Sequence, residues 1–214
     1  MLRKADTRRK ARRSIITGPK AFLFGDSHSY AVERAAERRV AKGLPVPVSV
    51  HRRRKEKGAI TIGDTSLEEF LELVSPLADE DLVVTLVGGN QHAVFSTIQH
   101  AKRFDFLEPQ AGPGSLDPDA EIIPSRILSG LFDRGIRGRD GHVLEQLRKE
   151  TGARVVHVLP PPPKRDNEFI SRYHEAKFAQ ENIAALGVSS PELRMKFWRL
   201  QARLLEKLCA ELNI

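Results

Sequence analysis

Residues 81–87 read DLVVTLV, a run in which five of the seven side chains are valine or leucine. The run is too short for a typical helix. It also lacks the polar alternation of a strand with one wet face, so it is expected to be buried on both sides. Strands of that kind belong inside a parallel sheet covered by helices. The runs 21–24 (AFLF) and 154–159 (RVVHVL) have the same character, and four prolines end the latter at Pro160–Pro163. Segment 46–50 (VPVSV) is β-branched, and Pro47 assigns it to an edge because proline cannot donate to a ladder. Helical patterns fall between these runs at 30–42, 66–74, 93–104, 125–132, 142–152, 168–186 and 192–212. The second of them puts Leu67, Phe70, Leu71 and Val74 on one face, with Thr65 or Ser66 as cap and Glu68 and Glu69 at its positive end. Residues 109–119 read as a loop, and 133–141 (DRGIRGRDG) as a break between two helices. Strand alternating with helix predicts an α/β fold, a three-layer α/β/α sandwich around a mostly parallel sheet.

Charge divides the chain. Residues 1–13 hold seven Lys or Arg, and 51–57 (HRRRKEK) form a second basic cluster within a net charge of +7. Residues 1–18 read as a basic flexible arm and 19–214 as one α/β domain. No aromatic residue interleaves with either cluster and no nucleic-acid motif accompanies them, so nucleic acid is not the expected partner. The single cysteine, Cys209, allows no internal disulfide and fits a reducing, cytoplasmic setting. The basic N-terminus lacks the apolar stretch of a signal peptide, and no window approaches the ~20 apolar residues of a membrane span.

Open parallel sheets bind ligands beyond the carboxyl ends of their strands, so chemistry is sought just after each apolar run. After the first comes Gly25-Asp26-Ser27-His28 at a helix start. Two readings stay open there. Asp26 or Ser27 caps the helix, or Ser27 is a nucleophile beside the free N–H groups of the helix end. Gly63 precedes the helix after the second strand, and Gly88-Gly89-Asn90 closes the third. Asn90 either caps the next helix or aims its amide at an oxyanion.

Taken together, FLFGDSHS, IGDTSLEEFLELV and DLVVTLVGGN resemble the first three blocks of the SGNH hydrolases, the GDSL-like lipases and esterases. The resemblance implies a flavodoxin-like sandwich and a serine esterase that hydrolyses or transfers an acyl group, with no cofactor. It implies Ser27 as nucleophile, with the Ser27 and Gly63 N–H groups and the Asn90 side chain as oxyanion donors. Carbohydrate O-acetyl groups or short acyl esters are the implied substrates. The sequence departs from the family twice. Gln91 stands where aspartate is common. The Asp-x-x-His block that supplies the base is missing downstream of 154–159, with no aspartate after Asp166 and no histidine after His174. The expectation is therefore a sheet whose last strand is missing, with an open edge that favours self-association. His92, two residues past Asn90, is the histidine expected to face the pocket, and substrate contact suits it better than proton transfer. No metal-ligand spacing appears. The alternative function is a non-catalytic carbohydrate- or anion-binding domain on the same scaffold.

Overall fold

The computed structural model describes residues 20–108, 116–174, 176–180 and 182–214. The arm expected over 1–18 and most of the loop expected over 109–119 lie outside the described residues. Strand β1 (Ala21–Gly25) leads into helix α1 (Ser29–Ala41), followed by β2 (Val48–Arg52) and an antiparallel hairpin of β3 (Lys55–Lys57) and β4 (Ile60–Ile62). Helix α2 (Leu67–Val74), β5 (Leu82–Leu86) and α3 (Gln91–Ser96) come next, then the short parallel pair β6 (Phe104–Asp105) and β7 (Glu121–Ile122). Helices α4 (Ser125–Ile136) and α5 (His142–Glu150) precede β8 (Arg154–His157). Short helices α6 (Asn167–Arg172), α7 (Ala176–Gln180) and α8 (Ile183–Leu186) lead to the long α9 (Pro191–Leu212).

The central sheet is four-stranded and parallel in the order β2-β1-β5-β8. Helices surround it, an α/β architecture compatible with a three-layer sandwich. β2 lies at one edge of the sheet and begins just after Pro47. β8 lies at the other edge, with Val156 and Val158 exposed beside it. One face of the sheet carries the main core. Phe24, Val83, Val87 and Val155 pack against Phe70 and Val74 of α2, Leu144 and Leu147 of α5, and Leu205 and Leu208 of α9. Phe24 and Phe70 stack with ring centroids 4.5 Å apart. Truncating a buried phenylalanine of this kind to alanine costs about 3–5 kcal/mol. α1 packs against β1 and β2 and gives no residue to that core. A second core joins Phe106, Leu128, Phe132, Phe197 and Leu200.

Local chemistry explains the best-formed ends. Ser66 and Glu69 make a reciprocal capping box at α2. Ser190 caps α9, whose first residue is Pro191. Three expectations change. The helix expected over 93–104 ends at Ser96 in α3, and Phe104 pairs instead in β6. Residues 133–141 do not break the helix: α4 passes through a π-helical segment, Arg137–Gly141, directly into α5. Three glycines lower the helix propensity there. Packing overrides it, since Ile136 and Val143 on either side are fully buried and Arg137 bridges Asp133 and Glu211. The helix expected over 168–186 is instead three short pieces, with Tyr173 leaving helical geometry after α6 and Asn182 left-handed at φ 63° before α8. Among the described residues no helix is long and apolar enough to cross a membrane.

Candidate functional site

Parallel register sets the site. Gly25 is level with Arg52 of β2 and Leu86 of β5, so three strands end along one rim. The chain beyond stays knitted across it: Asp26 N–H donates to Leu86 O at 3.0 Å and Arg53 N–H to Gly25 O at 2.8 Å. A cavity of about 980 Å3 opens there, lined among others by Ser27, Gly63 and Asn90. Residues 36 and 27 positions apart in the chain thus line one cavity, Ser27 and Asn90 beyond the ends of parallel strands and Gly63 beyond the β3–β4 hairpin.

Neither Ser27 nor Asp26 caps α1. The N-cap position falls on His28, with no side-chain cap bond. Ser29 is the buried hydroxyl of this turn, donating to the carbonyls of Gly25 and Asp26 at 3.1 and 2.5 Å. Asp26 faces across the sheet, where its Oδ2 accepts the Gly88 N–H at 2.8 Å. Lys55 Nζ lies 2.8 Å from Asp26 Oδ1 at an angle outside hydrogen-bond geometry, so that contact is an attraction of charges alone. Ser27 is left exposed, its hydroxyl without a protein hydrogen bond among the described residues. Asn90 stands at the N-cap of α3, exposed, and its amide makes no cap bond either.

Two glycines shape the wall. Gly63 has φ +85°, and a Cβ there would overlap the Arg53 carbonyl. Gly88 has φ +72°, and a Cβ there would overlap the Asp140 carboxylate. Glycine at 88 therefore lets Asp140, delivered by the π-helical segment, reach the rim beside Asp26. Burial, and then the neighbouring Asp26 charge, push the Asp140 carboxyl above its ordinary range. Arg53, Arg139 and His142 line the same cavity.

His92 does not join them. It is buried at 5% exposure, with its N–H and Nδ1 at 2.7 and 3.1 Å from Gln201 Oε1 of α9. Burial lowers its pKa. The turn of α3 that keeps Asn90 at the rim carries position 92 inward against α9. His157 is likewise engaged inside the fold, its Nδ1 2.7 Å from Thr85 Oγ1, and burial lowers its pKa to about 4.

Asp140, Arg139 and His142 are site residues that local sequence patterns do not mark. The available signal is three glycines in nine residues at 133–141, which permit the π turn. Among the described residues no group of three or more His, Cys, Asp or Glu side chains is arranged to hold a metal ion. In comparison with known proteins, no family model matches the chain and no curated protein matches it.

Proposed function

We propose that the chain is a serine esterase of the SGNH type that hydrolyses or transfers an acyl group. Carbohydrate O-acetyl or short acyl esters are its substrates. The observation that carries this reading is the shared cavity: Ser27, Gly63 and Asn90 all line it, and the Ser27 hydroxyl and Asn90 amide are uncommitted there. In this reading Ser27 Oγ attacks the acyl carbonyl and its proton passes to a base. The carbonyl electron pair moves to oxygen, where the Ser27 and Gly63 N–H groups and the Asn90 amide stabilise it. Collapse expels the alcohol, which takes up a proton, and water or an acceptor alcohol then clears the acyl group. Asp26, Glu56, Asp140 and His142 are the carboxylates and the histidine that line the same cavity.

One observation favours a second reading, a non-catalytic carbohydrate- or anion-binding domain. His142 has no carboxylate partner to orient it among the described residues, and His92 and His157 are engaged inside the fold. Turnover of p-nitrophenyl acetate separates the two. The esterase reading expects a rate that falls at least ~10³-fold in Ser27→Ala. Equal rates in the two proteins overturn it, and ligand binding without turnover supports the binding domain.

A further inference from the structure

We propose that the ester taken up at this rim carries an anionic group, a carboxylate or a phosphate, near the bond to be cleaved, and that Arg53 and Arg139 hold that group. This rests on the esterase reading of the same cavity and adds the charge of the substrate to it.

Four cations line the cavity: Arg52, Arg53, Lys55 and Arg139. Two have carboxylate partners. Arg52 meets Glu33 at 3.5 Å, and Lys55 meets Asp26 at 2.8 Å. Arg53 and Arg139 have none within ion-pair distance among the described residues. Arg139 donates only to neutral acceptors, Gly135 O at 3.3 Å and Gln91 Oε1 at 3.4 Å.

No carboxylate of the lining lies within ion-pair distance of those two arginines among the described residues. Asp26 is occupied by the Gly88 N–H and Lys55. Glu56 accepts the Thr61 hydroxyl at 3.0 Å. Asp140 lies beyond ion-pair distance of both arginines, and burial beside Asp26 outweighs the pull of their charges toward its ionised form. Two arginines from different elements, one just past β2 and one in the π-helical segment, therefore line the cavity with Ser27 and have no carboxylate within ion-pair distance among the described residues. Guanidinium stays protonated at any physiological pH, and its planar fork matches carboxylate and phosphate oxygens. A partly enclosed cleft strengthens such an attraction relative to open solvent. A neutral ester would leave both charges unmet, whereas an anionic one would meet them while presenting its carbonyl to Ser27.

Binding to the Ser27→Ala chain, measured by calorimetry, tests this with three esters: phenyl acetate, 4-acetoxybenzoate and 4-acetoxyphenyl phosphate. The expected result is that at least one anionic ester binds about ten-fold or more tightly than phenyl acetate at low salt, the tighter of the two identifying the anion. That preference shrinks as salt rises and falls to near parity when Arg53→Gln and Arg139→Gln are added. Equal binding of all three esters overturns the proposal, and so does a preference that survives both substitutions. The salt dependence is read on the site with both arginines intact, so it decides the matter even if the arginine variants fold poorly. Turnover of the same esters by the unsubstituted chain tests the parent reading separately. Turnover without charge preference sinks the anion proposal alone, whereas anion-selective binding without turnover sinks the esterase reading alone.

Discussion

Two polar clusters in this molecule are built on opposite principles. One fastens α9 to the segment around β6. Lys196 Nζ donates to both oxygens of Asp105 at 2.8 and 2.7 Å, and Asp105 also accepts the N–H groups of Phe106 and Asp117. Nearby, Glu108 is gripped by Arg199 and Arg203. Burial alone would raise the Glu108 pKa, but the two guanidinium groups outweigh it and hold the carboxyl low. The other cluster lies at the rim of the sheet, where the Ser27 hydroxyl and the Asn90 amide make no protein hydrogen bond among the described residues, and Arg53 and Arg139 meet no carboxylate. Paired charges mark the first as structural, since a buried charge must be paired. Open valences set the second apart, and on the proposed reading a ligand fills them.

The largest effect that can break this contrast lies in the paired cluster. Lys196→Ala removes one member of a pair whose side chains are 2% and 6% exposed. It should cost about 3–5 kcal/mol of unfolding free energy in a urea titration, because Asp105 is left buried and uncompensated. Ser27→Ala should move the same titration by less than about 0.5 kcal/mol. Comparable losses in the two variants would erase the distinction. Asn90→Ala comes next and should act on rate alone. If its amide serves the oxyanion, kcat/KM falls by about 10²–10³ while the urea midpoint holds. A variant that unfolds early with its rate constant intact would return Asn90 to a structural role.

The smallest effect is a pH signature at Asp140. Its folded-state pKa is raised, so the folded state holds a proton that the unfolded chain gives up near the ordinary value of about 3.9. Stability therefore drops as pH rises from there through the raised folded value and is level above it. Asp140→Asn escapes that loss. The melting temperature of the variant should pull ahead of the unsubstituted chain across that window and then keep a constant lead. A lead that opens on acidification instead would mean that Asp140 is stabilised as an anion, which would remove its contrast with Glu108.

How much of this was readable before folding follows from the range of the interactions. β1 and β5 announce themselves as short apolar runs because both their faces need cover, and β8 reads the same way although Val156 is exposed at the edge of the sheet. Ser66 and the Ser190-Pro191 pair announce helix starts because capping is local chemistry. That Ser27 and Asn90 line one cavity has a related cause: parallel strands of like length end together and each of the two follows such an end, whereas Gly63 reaches the cavity from the β3–β4 hairpin. The rest depends on partners far along the chain. His92 turns inward to Gln201, which lies 109 residues away, and nothing near position 92 foretells it. Arg139 and Asp140 reach the rim through a π turn that glycines permit but do not require. The β3–β4 hairpin was hidden in a basic stretch whose charges suggested a loop.

The claim at the centre is that the hydroxyl at position 27 is a nucleophile held open at the rim. Incubation of the full chain with a fluorophosphonate, followed by mass-spectrometric mapping of the adduct, addresses it most directly. A single covalent adduct on Ser27, absent in Ser27→Ala, is the result expected. No adduct, or one on another serine, would contradict the assignment and leave the cavity as a binding site without a nucleophile.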